Sequence, residues 1–242
     1  MQLDFVGREL TIKLVYYGPA LSGKTTNLQS LHKTISGDSA GRLMTLETKD
    51  DRTLFFDLLP LTFRGKGDVS VRVKVFTVPG QVIHTSTRRL VVQGADGVIF
   101  VADSQLSESD NNGASFVDLK QNLRASGVAL DQLPLVIQFN KRDMPKVRTE
   151  KEISDLAMKG REPVYLASAL TGEGVVESFM GALALTWARL EREHELRRKF
   201  QLEADGLLDE ICEKLGSRCG VQQVVSSCIG GAMQFSRLQE RR

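Results

Sequence analysis

From Leu10 to about Ala169, short apolar runs rich in β-forming residues alternate with stretches whose apolar positions recur at helical spacing. That alternation is the signature of a mostly parallel sheet covered by helices. The runs are Thr11–Tyr17, Leu54–Phe63, Val69–Val78, Gly97–Ala102, Leu135–Asn140 and Val164–Ala167. Between the second and third lies only Arg64-Gly65-Lys66-Gly67-Asp68. A parallel crossover needs about a dozen residues or more, so this short glycine-rich link predicts an antiparallel hairpin. The expected fold is therefore α/β, a six-stranded and mostly parallel sheet flanked by helices with one antiparallel edge strand. Helices are predicted at Lys24–Thr34, around Thr87–Gly94, at Phe116–Ser126, at Glu150–Lys159 and from about Val175 onward.

After Leu190 the pattern changes to Glu191-Arg192-Glu193-His194-Glu195-Leu196-Arg197-Arg198-Lys199, a solvated helical continuation with Glu193/Arg197 and Glu195/Lys199 at i,i+4 spacing. Phe200, Ala204, Leu207, Leu208, Ile211 and Leu215 then recur at helical spacing. Gly216 to Gly220 interrupt them, and Val221, Val224, Val225, Cys228, Ile229 and Ala232 resume the stripe. The expected organisation is a main unit of residues 1–190 and a helical extension of residues 191–242. Two uses of that extension are open: a helical hairpin packed on the main unit, or an exposed stripe for a second copy, a partner helix or a membrane surface.

Composition narrows the classes. With 41% hydrophobic and 26% charged residues among 242, the chain can bury a core and is neither disordered nor a membrane protein in type. Thirty-two basic against thirty acidic residues leave a formal net charge of +2, too small to imply nucleic acid as an obligatory partner. Cys212, Cys219 and Cys228 have neither CxxC nor Cys/His metal spacing and read as free thiols. Met1-Gln2-Leu3-Asp4 is not a leader, and Gln239-Glu240-Arg241-Arg242 is no prenylation box, so a cytoplasmic protein without an intrinsic membrane anchor is expected.

The first strand runs straight into Gly18-Pro19-Ala20-Leu21-Ser22-Gly23-Lys24-Thr25, a full G-x-x-x-x-G-K-[ST] match opening a helix. The backbone N–H groups of such a loop curve around a triphosphate, and the helix N-terminus adds positive potential. Gly18, Ala20, Leu21, Ser22, Gly23, Lys24, Thr25 and Thr26 are the candidate phosphate contacts. Lys24 would reach the β- and γ-phosphates, and the Thr25 hydroxyl would bind Mg²⁺.

The base is chosen elsewhere. Asn140-Lys141-Arg142-Asp143 ends the fifth run, where open α/β sheets bind ligands. The Asp143 carboxylate can accept from the N1–H and the exocyclic amine of guanine, whereas adenine has an acceptor at N1 and no 2-amino group. Asn140 would tie the base loop to the phosphate loop, and the Lys141 stem would cover the ring. Ser168-Ala169-Leu170 after the last run could turn a backbone N–H toward the guanine oxygen. Thr77-Val78-Pro79-Gly80-Gln81 would bring the Gly80 N–H to a γ-phosphate and the Gln81 amide to an attacking water, and Thr53 could supply a second hydroxyl to Mg²⁺. A P-loop ATPase or nucleotide kinase is disfavoured by Asn140–Asp143 and by the absence of an Arg-rich lid.

In order, Gly18–Thr25, Thr53, Thr77–Gln81, Asn140–Asp143 and Ser168–Leu170 resemble the guanine-nucleotide boxes of Ras-like small GTPases. The wording is most similar to the bacterial MglA group: Tyr16-Tyr17-Gly18-Pro19, Gly23-Lys24-Thr25-Thr26-Asn27-Leu28-Gln29, Asp51-Arg52-Thr53-Leu54-Phe55-Phe56-Asp57 and Val101-Ala102-Asp103-Ser104-Gln105. The resemblance spans about Leu10 to Leu190. It implies a GTP/GDP switch with Mg²⁺ on Thr25 and Thr53, Thr77 standing where Ras-like proteins usually carry Asp. It also implies Gln81, Arg52 and Lys24 as the catalytic set, with Arg52 an intrinsic arginine finger. Ala20 departs from the family's usual Gly, which predicts slow hydrolysis dependent on a partner, or a GTP-dependent scaffold with almost none. The implied partner is a roadblock/LC7-type activator, and the implied processes are cell polarity and motility.

Overall fold

The computed structural model describes residues 1–4, 6–35, 39–46, 56–64, 69–80, 85–217 and 219–229. The strands are β1 (Gln2–Asp4), β2 (Glu9–Tyr17), β3 (Met44–Leu46), β4 (Phe56–Arg64), β5 (Ser70–Thr77), β6 (Gly97–Asp103), β7 (Leu135–Asn140) and β8 (Val164–Leu166). The helices are α1 (Lys24–Thr34), α2 (Thr85–Val92), α3 (Ser109–Ala125), α4 (Glu150–Ala157), α5 (Val175–His194), α6 (Leu196–Phe200), α7 (Ala204–Lys214) and α8 (Val221–Ser226). The strands join one sheet in the order β3-β4-β5-β2-β6-β7-β8, with β1 paired to β2. The β5, β2, β6, β7 and β8 contacts are parallel, and β4 is antiparallel to β5 with Arg64 opposite Ser70.

The six expected strands are thus present, and the mostly parallel α/β architecture with them. Two details differ. β1 and β3 add short strands, and β3 pairs outside β4, so the antiparallel strand is not the edge. At three residues each, they are too short for alternation to register.

The central strands bury both faces. Leu10, Ile12, Leu14 and Tyr16 of β2 enter one core with Leu28 and Leu31 of α1 and the inner side of α5. Val15 and Tyr17 enter the other with Val91 and Val92 of α2 and Leu119 and Leu123 of α3. Side chains two apart share a face, which is why such strands read as unbroken apolar runs.

α5 is buried around almost its whole circumference, from Val175 to Leu190. A helix apolar all round must be covered on both sides. The sheet covers one side; Leu196, Phe200, Leu202, Leu207, Leu208, Ile211, Leu215, Val221, Val224 and Val225 belong to the same core. Tyr165 Oη donates to the Val225 carbonyl at 3.0 Å, and Ile229 exchanges two backbone hydrogen bonds with Val164 at the β8 edge. The apolar stripe after Leu190 is therefore packed inward.

The route it takes departs from the expected one. The helix ends at His194 because Glu195 adopts φ 54°, and Gln201 turns again at φ 56°. These turns swing Leu196 and Phe200 into the core. Glu193 accordingly pairs with Arg189 at 2.8 Å instead of Arg197, while the Glu195–Lys199 pair forms at 3.9 Å. α8 stops at Ser226, so Cys228 and Ile229 follow the helix, and Ala232 lies outside the described residues. No disulfide joins Cys212, Cys219 and Cys228, and burial pushes the pKa of the Cys212 thiol up to about 12, which leaves it unreactive. Among the described residues no helix is long and apolar enough to cross a membrane.

Candidate functional site

The loops following β2, β5, β7 and β8 gather at the carboxyl ends of parallel strands, the ligand edge of an open α/β sheet. They form two ends of one site.

At the β7–β8 end, Asn140 is 2% exposed and bonds in two directions. Its Nδ2 donates to the Ser22 carbonyl of the phosphate loop at 2.8 Å, and its Oδ1 accepts from the Ala169 N–H at 2.8 Å. Gly23, at φ 95°, makes that approach feasible: a Cβ there would stand 2.3 Å from Asn140 Nδ2. Arg142 N–H donates to the Ala167 carbonyl at 3.0 Å, and Ser168 Oγ to Asp143 Oδ1 at 2.5 Å. Lys141, at φ 64°, sends its ammonium to the buried Asp103 at 2.6 Å. Leu170 is 80% exposed beyond this cluster. Of the Ser168-Ala169-Leu170 backbone, from which an N–H is expected at a base oxygen, the Ala169 N–H is thus engaged by Asn140 and the Ser168 N–H by the Glu173 carbonyl at 2.9 Å.

At the β2–β5 end, Gly18, Pro19, Ala20, Leu21, Ser22 and Gly23 form the loop that opens α1. Leu21 is exposed, Ser22 buried, and Thr25 and Thr26 start the helix. Lys24 is buried, its ammonium donating to the Gly18 and Pro19 carbonyls at 3.0 and 2.6 Å. Burial lowers its pKa to about 7, the Arg88 charge adding to the shift and the Asp57 carboxylate opposing it.

Asp57 is the residue that sequence reasoning missed. Its Oδ2 accepts from Thr25 Oγ1 at 2.6 Å and Thr77 Oγ1 at 2.9 Å, and its Oδ1 from Thr45 Oγ1 at 2.8 Å. Its N–H donates to Thr77 Oγ1 at 2.9 Å. A signal was available: on β4, Asp57 falls on the inward register with Leu59, Leu61 and Phe63, where a carboxylate is out of place unless a site needs it. One carboxylate among threonine hydroxyls is a hard-oxygen donor set of the type Mg²⁺ takes, and so fits that ion beside the phosphate loop. Among the described residues no group of three or more His, Cys, Asp or Glu side chains offers another metal site.

Gly80 closes this end. A Cβ there would be 2.3 Å from Ala20 Cα, so only glycine lets the chain after β5 lie on the phosphate loop. Arg52, Thr53 and Gln81, the remaining expected site residues, lie outside the described residues.

No family model matches the chain. Among curated proteins, it is 40% identical over 190 residues to the mutual gliding-motility protein MglA of Myxococcus xanthus, covering 78% of this chain and 97% of that one. It is 23% identical over 249 residues to the mitochondrial ribosome-releasing factor 2 of Drosophila grimshawi, across 96% of this chain and 31% of that protein.

Proposed function

The chain belongs to the MglA group of Ras-like small GTPases, and from that premise we propose that it is a guanine-nucleotide switch that hydrolyses GTP to GDP with Mg²⁺. The observation that carries the guanine assignment is Asn140. By bonding both Ser22 and Ala169, it holds the Asp143 carboxylate in a fixed relation to the phosphate loop. Competition against bound fluorescent GDP tests it: unlabelled GTP should displace the probe and ATP at equal concentration should not. Displacement by ATP would sink the assignment.

In this reading Lys24, Thr25 and Thr26 hold phosphates with the loop Gly18–Gly23, and Gly80 reaches the terminal one. Thr25 and Thr53 would bind Mg²⁺, which when bound offsets phosphate charge, and Asp57 would accept hydrogen bonds from the groups around it. Thr77, standing where Ras-like proteins usually carry Asp, is supported by that neighbouring carboxylate, 2.9 Å away. Gln81 orients water and Arg52 and Lys24 offset transition-state charge. Lys141, Ser168, Ala169 and Leu170 complete the base pocket with Asp143.

Gly80 lies against Ala20, which supports slow turnover without a partner. Single-turnover cleavage should quicken in Ala20→Gly, and equal rates would remove the idea. The M. xanthus relative is a gliding-motility protein, and we propose a role of that kind here, in the cytoplasm, with a roadblock/LC7-type activator. Residues 1–190 would be the switch and residues 191–242 an extension that completes its fold. Truncation after residue 195 should then expose α5 and lower solubility.

A further inference from the structure

Arg88 is outside every motif, yet among the described residues it is the most enclosed cation near the site, with its side chain 2% exposed. Its Nε donates to the Pro79 carbonyl at 3.0 Å and its Nη2 to the Gly80 carbonyl at 2.9 Å. Its Nη1 meets Asp118 Oδ2 of α3 at 2.6 Å. Asp118 also accepts from Tyr17 Oη and, at 3.2 Å, from Asn122 Nδ2, which in turn donates to Tyr17 Oη at 2.9 Å. Tyr17 ends β2 immediately before Gly18. One guanidinium thereby connects α2, the chain after β5, α3 and the root of the phosphate loop.

The peptide geometry gives this network a direction. The Pro79–Gly80 bond is trans, so its carbonyl and the Gly80 N–H lie in one plane and point in opposite directions within it. Holding the Pro79 carbonyl aims the Gly80 N–H away from Arg88. The same residue is pressed on its other side against Ala20, and a Cβ on it would lie 3.0 Å from Lys24 Nζ. Resting on the reading of this site as a guanine-nucleotide switch, we propose that Arg88, braced by Asp118, is the positioning residue that presents the Gly80 N–H to the terminal phosphate and so separates triphosphate from diphosphate. A planar fork with several donors is required, because a lysine ammonium cannot span two successive carbonyls and a carboxylate.

The test is the affinity of full-length protein for a non-hydrolysable GTP analogue and for GDP, both with Mg²⁺, alongside the melting temperature. Arg88→Ala and Arg88→Lys should weaken the analogue by about tenfold or more while GDP changes by about twofold or less, the loss of one fixed hydrogen bond to a charged acceptor. Removing one partner of a buried pair can unfold a protein, so Arg88→Met combined with Asp118→Leu, which removes both charges, is the second variant. It should show the same selective loss. Equal weakening of both nucleotides, or an unchanged ratio in folded variants, would overturn the proposal by making Arg88 a strut or a bystander. Failure of the unmutated protein to bind either guanine nucleotide would instead overturn the switch reading itself, and the proposal with it.

Discussion

The two ends of the nucleotide site are built differently. At the base end, Asn140, Asp143, Ser168 and Ala169 already bond to one another or to the phosphate loop within 2.5 to 2.8 Å. At the phosphate end, Lys24 is folded onto its own loop's carbonyls and Thr25 donates to Asp57. The first is already assembled; the second is a set of groups that bond among themselves and, in the proposed switch, would exchange those partners for phosphate and Mg²⁺. Such a division suits the proposed switch: the base end would hold either nucleotide, while the phosphate end would register which one is bound.

Breaking the base end should have the largest effect. Asn140→Ala orphans the Ser22 carbonyl and the Ala169 N–H together, so affinity for GDP and GTP should fall in parallel by about a hundredfold or more. Titration with a fluorescent GDP, and a lowered melting temperature, would check it. Asp143→Asn should cost guanine nucleotides nearly as much, about tenfold to a hundredfold, because the carboxylate's acceptors are halved. Xanthine nucleotides, with a carbonyl at C2, should gain.

The phosphate end predicts smaller and more selective losses. Asp57→Asn keeps the shape and removes the charge among Thr25, Thr45 and Thr77. It should raise the Mg²⁺ concentration needed for tight GTP binding by about tenfold, in keeping with groups that support metal ligands. Metal-free GDP binding should barely change.

Lys24 gives the smallest signal. Its folded-state pKa lies near 7 against 10.5 in the unfolded chain, so between those values the unfolded chain binds more protons. Stability of the nucleotide-free protein therefore rises with pH across that window. Phosphate beside Lys24, aided by the Asp57 carboxylate and opposed by the Arg88 charge, would restore the ammonium. Nucleotide binding at pH 8 should take up close to one proton, and at pH 6 almost none, as read by calorimetry in buffers of different ionisation enthalpy.

How much of this was legible follows which interactions a recognisable motif carries. α1 runs from Lys24 to Thr34 as expected, and Asn140 bonds the phosphate loop, because those features are carried by local motifs and short strands. Asp57 and Arg88 escaped because no motif assigns them a partner: Thr25 and Asp118 lie 32 and 30 residues away, whereas Asn140 and Ser22, 118 residues apart, each belong to a recognisable motif. Only the fold supplies such pairings, although the inward register of Asp57 hinted at one. The turn at Glu195 was missed for another reason: a left-handed glutamate has no local signature, and the need to bury Leu196 and Phe200 against α5 imposes it.

The most direct test of the difference between the two ends is residue-resolved amide hydrogen exchange of the Ala169 and Gly80 N–H groups in the free, GDP-bound and GTP-analogue-bound protein. The Ala169 amide, already bonded to Asn140, should be protected in all three states. Gly80 should gain protection only with the Mg²⁺-bound triphosphate analogue. Protection of Gly80 by GDP to the same degree, or an Ala169 amide that exchanges freely until nucleotide binds, would contradict the account.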